Sequence, residues 1–137
     1  MSITFYASGS ILNDALGGVP FDAPANYYLG LSTTTISSSG SNSTEPTGGK
    51  AYARVIIPNN KTYFSYSSSG SLQNSTDITF PASTAAWGTI TDVFLADASA
   101  SATGTIWFYE ELTSPRIVQD STTITFSASA ISFSMTN

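Results

Sequence analysis

Along most of the chain apolar and polar residues alternate with a period of two, in short runs rich in β-branched and aromatic side chains. Runs of this kind form half-buried strands. Residues 27–32 put Tyr27, Leu29 and Leu31 on one face, and Gly30 on the other. A glycine inside such a run predicts a bulge or a close backbone approach. Residues 52–57 put Ala53, Val55 and Ile57 on one face and Tyr52, Arg54 and Ile56 on the other. Tyr63, Phe64 and Tyr66 predict another strand, followed by a turn at 67–71. Ile78, Thr79 and Phe80 make a brief strand that Pro81 ends, because proline cannot donate to a ladder.

The two densest apolar runs are 93–96 and 106–109, the first opened by Trp87 and Gly88. The turn-like composition of 97–104 between them predicts a hairpin with a long loop. Residues 112–115 read as a turn and 116–118 as a short strand. Ile124, Phe126 and Ala128 alternate inward, and so do Ile131, Phe133 and Met135. The last two runs predict a hairpin or one bent strand.

Near the start, Ile3 and Phe5 alternate with polar neighbours, which predicts a strand over 2–7, paired within its own sheet or reaching a neighbouring subunit. Ile11 with Ala15, and Leu12 with Leu16, then form an apolar stripe at i,i+4. They predict one helix of about two turns, capped by Ser10 and ended by Gly17. Residues 33–50 have a single aliphatic residue, Ile36, and no periodicity. Such a stretch is a surface loop, or an arm that orders against a partner.

The count of about eight or nine strands predicts an all-β fold, a β-sandwich or jelly roll of antiparallel strands with one short N-terminal helix. The expected organisation is a single domain over 1–137, with an N-terminal arm at 1–9 and a long flexible loop at 33–50. The expected core is Trp87, Phe94, Ile106, Phe108, Ile124, Phe126, Ile131 and Phe133. With two lysines in the chain to guard strand edges, the edges are expected to be closed or covered, with contacts between copies as one cover.

Charge changes the picture. Charged residues make up 9% of the 137 residues, against about 25% in ordinary soluble proteins, with a net charge of −5. The only cations are Lys50, Arg54, Lys61 and Arg116, too few for a phosphate-backbone footprint, so no nucleic acid is expected as partner. No apolar run approaches the roughly 20 residues that span a bilayer, so no membrane partner is expected either. Cysteine and histidine are both absent, which removes thiolate metal sites and the usual general base. Glu110 and Glu111 point to opposite faces of a strand and do not converge. The many serines have no histidine to activate them. No catalytic residue, cofactor or metal site is therefore expected. Carbohydrate stacking would fall to Tyr27, Tyr63 and Tyr66.

Several segments carry a family resemblance: Ile78-Thr79-Phe80-Pro81, Trp87-Gly88-Thr89-Ile90-Thr91, Ala96-Asp97-Ala98 and Glu111-Leu112-Thr113. Before them come 11–18 (I-L-N-D-A-L-G-G), 28–32 (Y-L-G-L-S), Glu45-Pro46, Gly48-Gly49 and Tyr52-Ala53-Arg54. In this order, over roughly residues 11–135, they resemble a family of small tailed-phage virion proteins. Members are often labelled phage tail fibre protein and are similar to head decoration, or cement, proteins. The chain departs from the family pattern at Asp92-Val93, where a histidine and a glycine are common. It departs again at Gln119-Asp120-Ser121, where Gly-Asp-Thr is common.

The resemblance implies a virion structural role and carries no site residue with it. The first expectation is a capsid decoration protein on the outer head surface, made in the host cytoplasm. It would bind the major capsid protein and itself, as a dimer or trimer. The alternative is a tail fibre or receptor-binding component recognising host surface carbohydrate. The expected contact residues are Ile3, Phe5 and Tyr6 of the arm, Ile36, Glu45, Pro46 and Lys50 of the loop, and Arg54.

Overall fold

A computed structural model describes residues 1–65 and 70–134. The expected roles of Tyr66, of 67–69 in a turn and of Met135 lie outside the described residues. The described residues form nine strands in antiparallel sheets and one N-terminal helix. In chain order they are β1 (Ser2–Ile3), α1 (Phe5–Gly17), β2 (Asn26–Ser32), β3 (Val55–Pro58), β4 (Ser71–Gln73), β5 (Ile78–Thr79), β6 (Gly88–Ala96), β7 (Ile106–Val118), β8 (Thr125–Phe126) and β9 (Ser132–Ser134). The main sheet has the order β1-β7-β6-β2-β3, and β4-β9 and β5-β8 are two-stranded ribbons.

The ribbons cover one face of the main sheet. Leu29, Leu31, Ile57, Val93 and Leu95 pack there against Ile78, Phe80 and Ile131, with Trp87 and Val118 at one end. Phe108, Ile124, Phe126 and Phe133 are half-buried around this cluster. The opposite face carries a smaller core of Phe94, Ala96, Ile106 and Ile36.

Two irregularities in the β6–β7 ladder decide which side chains reach which face. Leu95 pairs with Phe108 but Ala96 with Ile106, which leaves Trp107 as an extra residue. Ile90 pairs with Arg116 but Asp92 with Glu111, so β7 carries an excess loop of chain opposite Thr91. Strict alternation would send Ile90 to the face of Asp92 and Phe94; the bulge lets it join Val93 and Leu95 instead. Residues 112–115 were expected to form a turn between two strands. They lie within one strand, because their extra length is absorbed in the bulge. Pro115 sits where no ladder donor is needed, along an edge that the two-residue β1 does not reach. The other edge strand, β3, ends in Pro58. Prolines and a very short strand therefore blunt the edges within the chain itself.

The N-terminal expectation is also corrected. The strand stops at Ile3, and the helix starts at Phe5 with Thr4 as its cap, so neither an arm over 1–9 nor a Ser10 cap exists. The Thr4 hydroxyl lies 3.3 Å from the Ala7 N–H and bonds the carbonyls of Ile106 and Trp107 at 2.9 and 3.1 Å. Those long-range partners fix the helix start. Its end is Gly18 in the left-handed conformation, one residue past the expected Gly17. The runs around Phe126 and Phe133 do not form a hairpin together: β8 pairs with β5, and β9 with β4. Buried Asn74 separates them, since its amide donates to the Ser127 carbonyl and accepts from the Ile131 N–H.

Gly30 marks a close backbone approach. It faces Phe94 across the β2–β6 pair, and a Cβ at this position would lie 2.3 Å from the tip of the Phe94 ring. That ring is fully buried and has no room to retreat. Gly30→Ala is expected to destabilise the protein by about 1–3 kcal/mol, read from the urea midpoint. In a Phe94→Leu background, which shortens the opposing side chain, the same substitution is expected to cost distinctly less. Equal costs in both backgrounds would contradict the contact.

Candidate assembly surface and the loop that backs it

Residues 33–54 contain no regular element, yet they close over the second face of the sheet. Ile36 is buried against Phe94, and its N–H donates to Asp92 Oδ2 at 3.0 Å. Thr33 N–H donates to the Thr44 carbonyl at 2.8 Å, and Ser32 Oγ accepts from Thr44 N–H at 2.9 Å. Near its end the loop meets the β6–β7 hairpin tip through Glu45 and Arg54. Arg54 Nε donates to Glu45 Oε1 at 2.9 Å and Nη2 to Oε2 at 2.8 Å, a bidentate pair. Both side chains are 2% exposed. Arg54 Nη1 also donates to the carbonyls of Ala98 and Thr103, and the guanidinium lies 5.1 Å from the centre of the Phe94 ring. Glu45 accepts further bonds from Ala102 N–H at 2.7 Å and Tyr52 O–H at 2.7 Å.

Burial alone would raise the Glu45 pKa. The bonds from Arg54, Ala102 and Tyr52, with the Arg54 charge, outweigh it and hold the carboxyl below its usual range. Burial first, and then the Glu45 charge, push the Tyr52 hydroxyl well up. The loop was expected to be mobile or to wait for a partner, and its residues to be contacts. The side chains of Ile36, Glu45, Pro46 and Arg54 are instead buried in the chain's own fold, where the loop closes over the second sheet face. Lys50 is half-buried, and its carbonyl accepts from Trp87 Nε1 at 2.8 Å.

Most of the large exposed hydrophobics among the described residues gather elsewhere, on α1 and just past it, while Ile56 on β3 and Ile117 on β7 stand apart. Only Ala7 of this helix is buried. Positions 5, 12 and 16 share the face turned away from the sheet, and they are Phe5, Leu12 and Leu16, exposed by 70%, 58% and 86%. A helix lying alone on a sheet would turn that face polar. Val19, just past the cap, is exposed as well. Leu12 continues this surface into an open groove of about 1200 Å³ lined by Ile3, Ile57, Leu95, Phe108 and Phe133. Of the expected contact residues, Phe5 and Tyr6 thus lie on an exposed surface and Ile3 on the groove wall. Leu12, Leu16 and Val19 were missed. The i,i+4 spacing of Leu12 and Leu16 marks an apolar stripe, but nothing local to the sequence gives its direction, and Val19 falls outside it.

The aromatic side chains named for sugar stacking are differently placed. Tyr27 is half-buried between Trp107 and Phe108, and its hydroxyl is pushed up to about 12 by burial and by the Asp97 charge. Tyr63 is half-buried against the main core. No described helix is long and apolar enough to cross a membrane.

The chain belongs to the family described as Podophage GP4 fiber I protein gp80, whose model matches residues 2–134. It is accordingly a phage virion protein of fibre type. None of the curated proteins matches it.

The paired charges have a pH signature. The Glu45 carboxyl is lowered from 4.5, so its contribution to stability is complete above that value and is lost as pH falls through the folded-state value. The urea midpoint is expected to drop on acidification below about pH 5, and Glu45→Gln to flatten part of that drop. Arg54→Met, which strands a buried carboxylate, is expected to cost about 3–5 kcal/mol, and Glu45→Leu/Arg54→Met together less than the sum of the two single changes.

Proposed function

We propose that this chain is a non-enzymatic structural component of a podophage fibre, held in the virion through the outward face of α1. The observation that carries the reading is the inverted helix, with Phe5, Leu12 and Leu16 directed away from the chain's own core. Contiguous exposed apolar side chains on a charge-poor protein are what a permanent protein interface leaves behind when its partner is removed. The partner is a protein surface of matching, uncharged character, with further copies of this chain as the first candidate. Many copies joined in this way gain stability by mass action, with no chemistry required. The family description, which names a fibre, favours the tail.

Decoration of the capsid lattice, with the major capsid protein as partner, is the competing placement. The two differ in stoichiometry. Quantitative mass spectrometry of purified virions is expected to find a small number of copies related to the tail symmetry. Copies on the scale of the major capsid protein would favour the head and overturn the fibre placement.

The α1 surface is tested separately. Leu16→Glu, at the most exposed position, is expected to leave the unfolding free energy within about 0.5 kcal/mol of the parent and to remove the protein from assembled virions. Incorporation at the parental level would contradict the role given to α1.

A further inference from the structure

Beyond Ile11, α1 stands clear of the body of its own chain. Every residue from 12 to 17 is exposed, so Leu12, Asp14 and Leu16 meet solvent on different sides of the helix. A helical segment of this length is a peg about 9 Å long and about 10–12 Å across, roughly 700–1,000 Å³. The apolar groove beside it holds about 1200 Å³. Within it the half-buried rings of Phe108 and Phe133 meet edge to face at 5.0 Å.

We propose that this groove receives α1 of a second copy of the chain, so that copies join peg into groove. The proposal rests on the outward face of α1 being the assembly surface, and it names the surface which that face meets. Peg and groove match in size. They match in character, since Leu12 and Leu16 have the i,i+4 spacing of anchors that seat a helix in an apolar groove. They also match in charge. Asp14 is the only charged residue of α1, and Lys61 is the only charged side chain among the described residues lining the groove. Asp14 lies on the opposite side of the helix from Leu12 and Leu16. With the leucines on the apolar floor, it comes to the mouth of the groove, where the long stem of the exposed Lys61 lets the ammonium reach it.

The placement of the groove sets the symmetry. The inserting face is Phe5, Leu12 and Leu16, whereas α1 lines its own groove through Ser8, Ile11 and Leu12. Each helix therefore enters the groove of one neighbour and lends a wall to the helix of the other. Such a contact is heterologous, and it forms a ring where the rotation closes. Two copies leave one groove empty, and three are the fewest that fill every groove.

Sedimentation velocity of the purified intact protein tests this. The parent is expected to form species of three or more copies in the micromolar range, and Leu16→Glu to be monomeric there. Asp14→Lys and Lys61→Glu, both at exposed positions, are each expected to weaken association about three- to tenfold, and the double variant to recover to within about twofold of the parent. A parent that stays monomeric, one that stops at dimers, or a double variant without recovery would overturn the proposal. A monomeric parent whose Leu16→Glu variant is still lost from virions would sink the peg-in-groove contact and leave the α1 surface standing with another partner. Recovery in the double variant, with Leu16→Glu incorporated at the parental level, would uphold the contact and overturn the role of α1 in the virion.

Discussion

The bidentate pair between Glu45 and Arg54 is the constraint on which the second half of the fold depends. The main sheet has two apolar faces, and the ribbons β4-β9 and β5-β8 cover only one. The other is closed by a loop with no ladder of its own, whose backbone groups must still be satisfied where they are buried. Arg54 solves much of this from one side chain. Its planar donors hold the Glu45 carboxylate and the carbonyls of Ala98 and Thr103 at once. Residues 45, 54 and 97–105, distant in sequence, are tied at one point above Phe94. Gly30 then matters for the same reason, because the Phe94 ring can fill this layer only where its cross-strand neighbour has no side chain.

The sequence made the strands legible wherever two physical signals agreed. Alternation and turn composition both marked the β6–β7 hairpin, and the glycine in an otherwise bulky run marked the close approach at Gly30. Elements set by distant partners were not legible. Thr4 and Ser10 are equally good caps by type, and the choice falls to Thr4 because its hydroxyl reaches carbonyls more than a hundred residues away. Pro115 signalled a turn by its chemistry, but the turn became a bulge on an unpaired edge. The loop over 33–54 hid its order because side chains, not periodicity, fix it. Its signals were Ile36, the one aliphatic residue in a polar stretch, and an acid and an arginine kept in a chain with four cations.

These features bear on function through rigidity. A loop fixed in advance adds no ordering entropy to assembly, so binding energy at another surface is not spent on folding it. The inverted helix supplies that surface. Because α1 starts from a buried cap and ends in a left-handed glycine, its apolar face is presented at a defined position. The bracing of Tyr6 by Trp107 on the flank of the same helix is a second consequence, since Trp107 is the residue that the β6–β7 irregularity pushes out of register. One ladder defect thus shapes both the core and the flank of α1.

The central claim is that residues 33–54 form a fixed layer of the isolated chain. Amide hydrogen exchange of the purified protein, resolved by residue, tests it most directly. The amides of Thr33, Ile36, Thr44 and Ala102 are expected to be strongly protected, and to lose that protection together in Arg54→Met while β2 and β6 keep theirs. Exchange of these amides at unprotected rates in the parent protein would contradict the account and return the loop to the status of a free arm.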